Sequence, residues 1–159
     1  MHGPRLWPWL LLVALWTCFI WGNSLNTGAA STSQSDLVAG LVRPLFLWLG
    51  VSRWGSMTFV VRKTAHFLEY AVLGLLVWQC ARRVPGRAGR APLAFGALAY
   101  GLAVPLVDEF AIQARVPGRS SSLRDVAIDL CGFGAMCALC ALVSHARRRR
   151  CRGRHFRVC

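Results

Sequence analysis

Arg62-Lys63-Thr64-Ala65-His66-Phe67-Leu68-Glu69-Tyr70 leads into one apolar run. Asp108-Glu109-Phe110-Ala111-Ile112-Gln113 ends another, and Val116-Pro117-Gly118-Arg119-Ser120-Ser121-Ser122-Leu123-Arg124-Asp125 leads to Asp129 in a third. Of six acids in the chain, Glu69, Asp108, Glu109, Asp125 and Asp129 fall in these stretches; only Asp36 lies elsewhere. Carboxylates are costly in lipid, so acids gathered at the ends of apolar runs need a cause. The remainder of the chain reads as the scaffold that holds them.

That scaffold is a membrane one. The chain is 55% hydrophobic and 16% charged, with a mean hydropathy of +0.45. Its apolar residues come in long blocks rather than at the spacing of one buried face. At 159 residues it forms one domain. The net charge of +13 is almost all arginine, with Lys63 the single lysine. The longest basic run, Arg147 to Arg157, follows an apolar helix and has no aromatic stacking partners, so it reads as a cytoplasmic stop signal that touches anionic lipid. Nucleic acid is not an expected partner. The seven cysteines make no disulfide framework. Cys137-Ala138-Leu139-Cys140 lies mid-helix without a second pair, and it reads as small apolar packing.

Four spans are predicted, over about 6–22, 65–80, 91–107 and 125–144, in an all-α four-helix membrane bundle comprising residues 1–144. Residues 145–159 form an arginine-rich cytoplasmic tail. The first run carries Trp7, Trp9, Trp16 and Trp21, as an aromatic belt would. The alternative there is a cleaved signal peptide, with Gly28-Ala29-Ala30 as the cleavage site. Asn23 to Ser35 reads as a polar loop. Asp36 to Gly50, broken at Arg43-Pro44, is too short to span. It reads as an interfacial helix capped by Ser35 or Asp36 and anchored by Trp48 and Trp54. Pro85-Gly86 and Pro117-Gly118 predict turns. Gly132, Gly134, Ala135 and Ala138 predict close helix contact.

Four spans put both termini on one side. That side holds Arg5, the arginines of 82–90 and those of 147–157: twelve positive charges and no acid. The other holds seven positive charges and all six acids. The positive-inside rule therefore predicts an inner or plasma membrane protein with cytoplasmic termini. His66, Glu69, Asp108, Glu109, Arg119, Asp125 and Asp129 then converge near the outer face.

The same residues carry a family resemblance. Arg62 to Tyr70, followed by Ala71-Val72-Leu73-Gly74, resembles the first motif of VanZ-like membrane proteins. Asp108-Glu109, Gln113, Val116-Pro117-Gly118-Arg119-Ser120 and Asp125-Val126-Ala127-Ile128-Asp129-Leu130-Cys131-Gly132 resemble the second. The polar Asn23-Ser24 and Ser33 to Ser35 region is similar but weakly specific. The family pattern has two residues between the Glu and the Gln; this chain has three, Phe110-Ala111-Ile112. The resemblance implies a cell-envelope membrane protein. The family's name comes from an accessory protein of glycopeptide-resistance clusters, associated with teicoplanin.

Three readings of the polar residues stand side by side. As a brace, Arg62 or Lys63 pairs with Asp108 or Glu109, Arg119 with Asp125 or Asp129, and His66 with Glu69. As a ligand site, Arg62, Lys63, His66, Glu69, Gln113, Arg119, Arg124, Asp125 and Asp129 face an anionic lipid headgroup or a lipid-linked wall precursor. As an enzyme, His66 acts as base, oriented by Glu69, with Asp108 or Glu109 as acid. In a variant of the last, His66, Glu69 and a second-motif carboxylate hold a divalent metal. No nucleophile motif, HxxxH or paired CxxC supports catalysis or metal, and no cofactor is expected. His2, His145 and His155 have no partner pattern. Tyr70 and Gln113 are expected to satisfy helix ends, and Tyr100 to pack.

Overall fold

A computed structural model describes residues 6–84 and 90–155. The predicted Pro85-Gly86 turn, Arg5, His2 and the end of the arginine tail lie outside them. The fold is all-α. Among the described residues there are six α-helices: α1 (Trp7–Ser24), α2 (Gly28–Leu41), α3 (Arg43–Trp48), α4 (Trp54–Ala81), α5 (Arg90–Leu106) and α6 (Leu123–His155). A π-helical turn, Val107–Ile112, and a 3-10 turn, Gln113–Arg115, follow α5. No strand occurs among the described residues.

The stretches Ala94–Arg115 and Leu123–Arg149 are each long and apolar enough to cross a membrane. The pair α1 and α2 passes the same test together, although the two helices meet at 103°. The other two expected spans fall on α1 and on the second half of α4, neither of which passes that test by itself. At 18 residues, α1 is about 27 Å long, close to the ~30 Å of a bilayer core. Arg62, Lys63, His66 and Glu69 dilute the apolar character of α4.

Helix α4 is the hub and packs against α1, α2, α5 and α6. Its buried residues Tyr70, Leu73, Gly74, Val77 and Cys80 recur at three- and four-residue steps, one face of a helix. Tyr70, Leu73 and Val77 join Ile20 of α1, Val104 of α5 and Phe133 of α6 in the core. Side-chain contacts set the directions. Lys63 meets Asp125 and Gly74 meets Cys137, so α4 and α6 run parallel. Trp9 lies against Arg83 and Asn23 against Glu69, so α1 runs opposite to α4. Thr17 bonds Tyr100 and Ser24 bonds Asp108, so α1 and α5 run parallel. Apolar side chains remain on the outside: Leu10 on α1, Phe95 on α5 and Leu142 on α6 are 52%, 75% and 68% exposed. A surface this apolar fits acyl chains.

Several expectations are corrected. Asn23 to Ser35 is not a loop. Helix α1 runs to Ser24, and α2 begins at Gly28 with Thr27 as its cap, the Thr27 hydroxyl accepting from Ala30 N–H at 3.3 Å. Ser35 and Asp36 lie inside α2. Asp36 instead accepts from Trp54 Nε1 (3.0 Å) and Thr58 Oγ1 (2.5 Å), tying α2 to α4. Helix α4 starts at Trp54, eleven residues before Ala65, so Arg62 and Lys63 are helical. Of the small residues on α6, Gly132 abuts α4 at Phe67, but Gly134 has open space around it. Ala135 and Ala138 are exposed. Tyr100 does more than pack, because its hydroxyl shares a 2.7 Å hydrogen bond with Thr17. Cys18, Cys80, Cys131, Cys137 and Cys140 are free.

Candidate functional site

The polar residues meet at one end of the bundle. The last turn of α1 supplies Asn23 and Ser24. Spacings of three and four along α4 supply Lys63, His66 and Tyr70, with Glu69 beside them. The first turns of α6 supply Asp125 and Asp129, four apart on one face. The π turn supplies Asp108 and Glu109, and the turn after it supplies Gln113. Arg119 comes from the following loop, where Gly118 takes a φ of 76° in the predicted Pro117-Gly118 turn.

The pairings differ from the expected ones. Lys63 Nζ pairs with Asp125 Oδ2 at 2.5 Å, not with Asp108 or Glu109. His66 Nδ1 lies 3.9 Å from Asp129 Oδ1, not against Glu69. Glu69 Oε1 accepts from Asn23 Nδ2 at 2.8 Å, and its backbone oxygen accepts from Trp16 Nε1 at 2.9 Å. Arg119 pairs with no carboxylate. Its Nε donates to the Asn26 carbonyl (2.9 Å), one terminal nitrogen to Gln113 Oε1 (2.9 Å) and the other to the Asn23 carbonyl (3.3 Å). It thereby clamps the end of α1 to the second motif. Partial burial lowers the proton affinity of Arg119, against the pull of Asp108 and Glu109. A guanidinium nonetheless stays charged.

The buried acids are held from one side only. Asp108 Oδ2 accepts from Ser24 Oγ (2.9 Å) and Gln113 Nε2 (3.0 Å). Glu109 Oε1 accepts from the Ser122 N–H at 2.8 Å. Asp108 Oδ1, Glu109 Oε2 and both oxygens of Asp129 are buried and have no hydrogen-bond partner. These three residues are 0%, 0% and 1% exposed. Tyr70 does not satisfy a helix end; its buried hydroxyl lies near Asp108 without hydrogen-bond geometry.

The π turn explains the unusual spacing between Glu109 and Gln113. A π turn bonds i to i+5 and so contains one residue more than an α turn. Asp108 and Gln113 are five apart, and their side chains bond directly. The third intervening residue is absorbed as a wider turn, and the Gln still faces the acids. Pro105 lies just before this turn and removes one helix donor.

Two clefts open above the acids. One, about 150 Å³, is lined by Asn23, Gln34, Arg62, His66, Glu69 and Arg119 among others. The second, about 100 Å³, is lined by Arg62, Lys63, His66, Gln113, Arg119 and Asp125 among others. Arg62, His66 and Arg119 border both.

A family model described as VanZ/LLP1 matches residues 9–144, from the start of α1 to the arginine tail. The chain belongs to that family. No match is found among curated proteins or among solved structures. Both VanZ-like motifs lie at the polar end of the bundle, although Asp108, the first second-motif acid, comes 42 positions after His66 in the sequence. Lys63, His66, Glu69, Asp108, Glu109, Gln113, Arg119, Asp125 and Asp129 all reach the polar end, and Arg62 lines the clefts. Arg124 does not join them. It is exposed, and its backbone N–H donates to Ser122 Oγ at the start of α6 (3.2 Å). Asn23 and Ser24 were missed as site residues. Their signal was two amide and hydroxyl side chains closing the first apolar run, a pattern that also suits an ordinary helix end.

Proposed function

We propose that this VanZ/LLP1 protein crosses the plasma or inner membrane four times, with both termini cytoplasmic, and binds an anionic phosphate at its outer face. The ligand is a lipid headgroup or a lipid-linked wall precursor. The antiparallel order of α1, α4, α5 and α6 supports the four crossings, and the arginine asymmetry supports the orientation. A role in glycopeptide resistance of the teicoplanin type follows where the wall precursor is the ligand.

One observation carries the binding reading. Arg62 and Arg119 border both clefts and are close enough to repel one another. Arg62 has no hydrogen bond or ion pair among the described residues, while Lys63 is matched by Asp125. Arg119 has five N–H donors, of which the three described bonds leave two. Two guanidinium groups on one cleft wall, with N–H donors to spare, suit an oxyanion.

The test is native mass spectrometry of the full chain. Phosphatidylglycerol and an undecaprenyl-linked wall precursor are offered in separate arms, which distinguish the two sources. Wild type is expected to retain one of them, and Arg62→Gln to lose it. Arg62 is the informative variant because Arg119→Ala would also release the α1 clamp. Equal retention by Arg62→Gln returns the cluster to a bracing role. Turnover of the retained lipid would replace binding by catalysis.

A further inference from the structure

We propose that His66, Asp108 and Asp129 form a binding site for one divalent cation of the Mg²⁺ and Mn²⁺ class. This inference rests on the trio itself and not on the headgroup reading. Neither aspartate lines the clefts, which His66 borders. One ligand atom from each of the three residues falls within 4.8 Å of the others. Three donors about 2.1 Å from one octahedral ion include at least two pairs that stand roughly 3.0 Å apart. The trio therefore needs to close by about 1–2 Å, which rotation of the three side chains has to supply.

The second observation is the state of the oxygens. Asp108 and Asp129 are 0% and 1% exposed, yet Asp108 Oδ1 and both Asp129 oxygens have no hydrogen-bond partner. Burying a charge without a partner is expensive. Lys63 is engaged by Asp125 and Arg119 bonds Asn23, Asn26 and Gln113, while Arg62 borders the clefts, which neither aspartate lines. His66 approaches Asp129 only to 3.9 Å.

The surroundings orient these donors. Ser24 and Gln113 both hold Asp108 by Oδ2, which leaves Oδ1 free. Outer hydrogen bonds that fix one carboxylate oxygen are a recurrent support for metal ligands. The donor set is two hard carboxylates and one imidazole, without thiolate, and this suits Mg²⁺ and Mn²⁺. Glu69 is not part of it, being bonded to Asn23. The ligands thus differ from the metal variant read from the sequence, and the expectation of no metal gives way to this site.

The test uses the full chain in detergent, stripped with chelator and titrated with Mn²⁺ alone. Electron paramagnetic resonance reads the loss of the free-ion signal. Manganese is chosen because the seven cysteines compete poorly for it. Wild type is expected to bind one Mn²⁺ per chain. Asp129→Asn and Asp108→Asn are expected to weaken binding by at least about ten-fold, as loss of even an outer-shell partner does. His66→Gln, at a half-buried position, is the variant to use where the aspartate variants do not fold. Asp36→Asn is expected to leave binding unchanged. Arg62→Gln is expected to keep the Mn²⁺ while losing the headgroup, so the two proposals fail separately. No Mn²⁺ on helical wild-type protein, or equal affinity in the ligand variants that fold, overturns the site.

Discussion

Gly132→Ala is expected to destabilise the bundle although alanine is the better helix former. A Cβ at 132 would lie 2.2 Å from the Phe67 carbonyl oxygen, 3.0 Å from its carbon and 3.2 Å from its Cα. All three are backbone atoms of α4, so no side chain can swing aside. Carbon contacts are comfortable near ~3.5 Å, so α4 and α6 must part locally by about 1 Å. Overpacking of this kind costs about 1–3 kcal/mol. The intrinsic gain from glycine to alanine is about 1 kcal/mol. Gly134→Ala isolates that gain, because nothing lies within 4 Å of a Cβ at 134. The propensity terms cancel between the two variants and leave the overlap, about 1–3 kcal/mol. In a chain of this size each kcal/mol moves Tm by about 2–4 °C. Gly132→Ala should therefore melt roughly 2–12 °C below Gly134→Ala by circular dichroism in detergent. Equal melting temperatures would refute the claim that α4 and α6 meet backbone to backbone at Phe67. Such a separation would also move Asp129, one turn away, from His66, so Mn²⁺ affinity should fall with stability.

Ser24→Ala removes one of two donors to the buried Asp108 Oδ2 and is expected to cost about 1–3 kcal/mol in chemical unfolding; an unchanged midpoint would mean that Ser24 does not hold the acid. Lys63→Gln and Asp125→Asn should each destabilise, and their double variant should show a coupling above the ~0.2–1 kcal/mol of an exposed pair, because the two side chains are only 14% and 22% exposed. A double-mutant cycle with no coupling would remove the pair from the account. Single cysteines placed at Arg83 and Ser120 in a cysteine-free chain should react with a membrane-impermeant thiol reagent from opposite sides of intact cells or vesicles, Ser120 from outside. Labelling of both from one side would contradict the four crossings.

The membrane class, the all-α fold and the two polar motifs were legible in the sequence. Hydropathy is a local property, and a helix satisfies its own backbone bonds, so runs such as 125–144 declare themselves without partners. The motif acids were visible for the same reason, since a carboxylate beside an apolar run stands out wherever it finally points. Gly132 was legible as a contact residue, but Gly134 was not separable from it, because only the crossing of α4 and α6 decides which glycine meets a backbone. The start of α4 was misplaced because Arg62 and Lys63 resemble a loop until Asp125, 62 positions later, receives Lys63.

What the tertiary structure alone decided is which charges meet. Pairing across the bundle depends on the angle at which α1 turns into α2, on the π turn after Pro105 and on the parallel approach of α4 and α6. The first and the last of these are not set by neighbours in the sequence. The Arg119 guanidinium could have met any acid by spacing, but it is drawn to the carbonyls at the end of α1, which a closed helix leaves unsatisfied. Asp108 and Asp129 are thereby left buried beside His66 with free oxygens. The sequence by itself determined that a polar site lies at one end of a helical membrane bundle. Only the packed helices determined that His66, Asp108 and Asp129 come together and that Arg62 and Arg119 border the same clefts, because each contact joins side chains that the chain brings together only on folding.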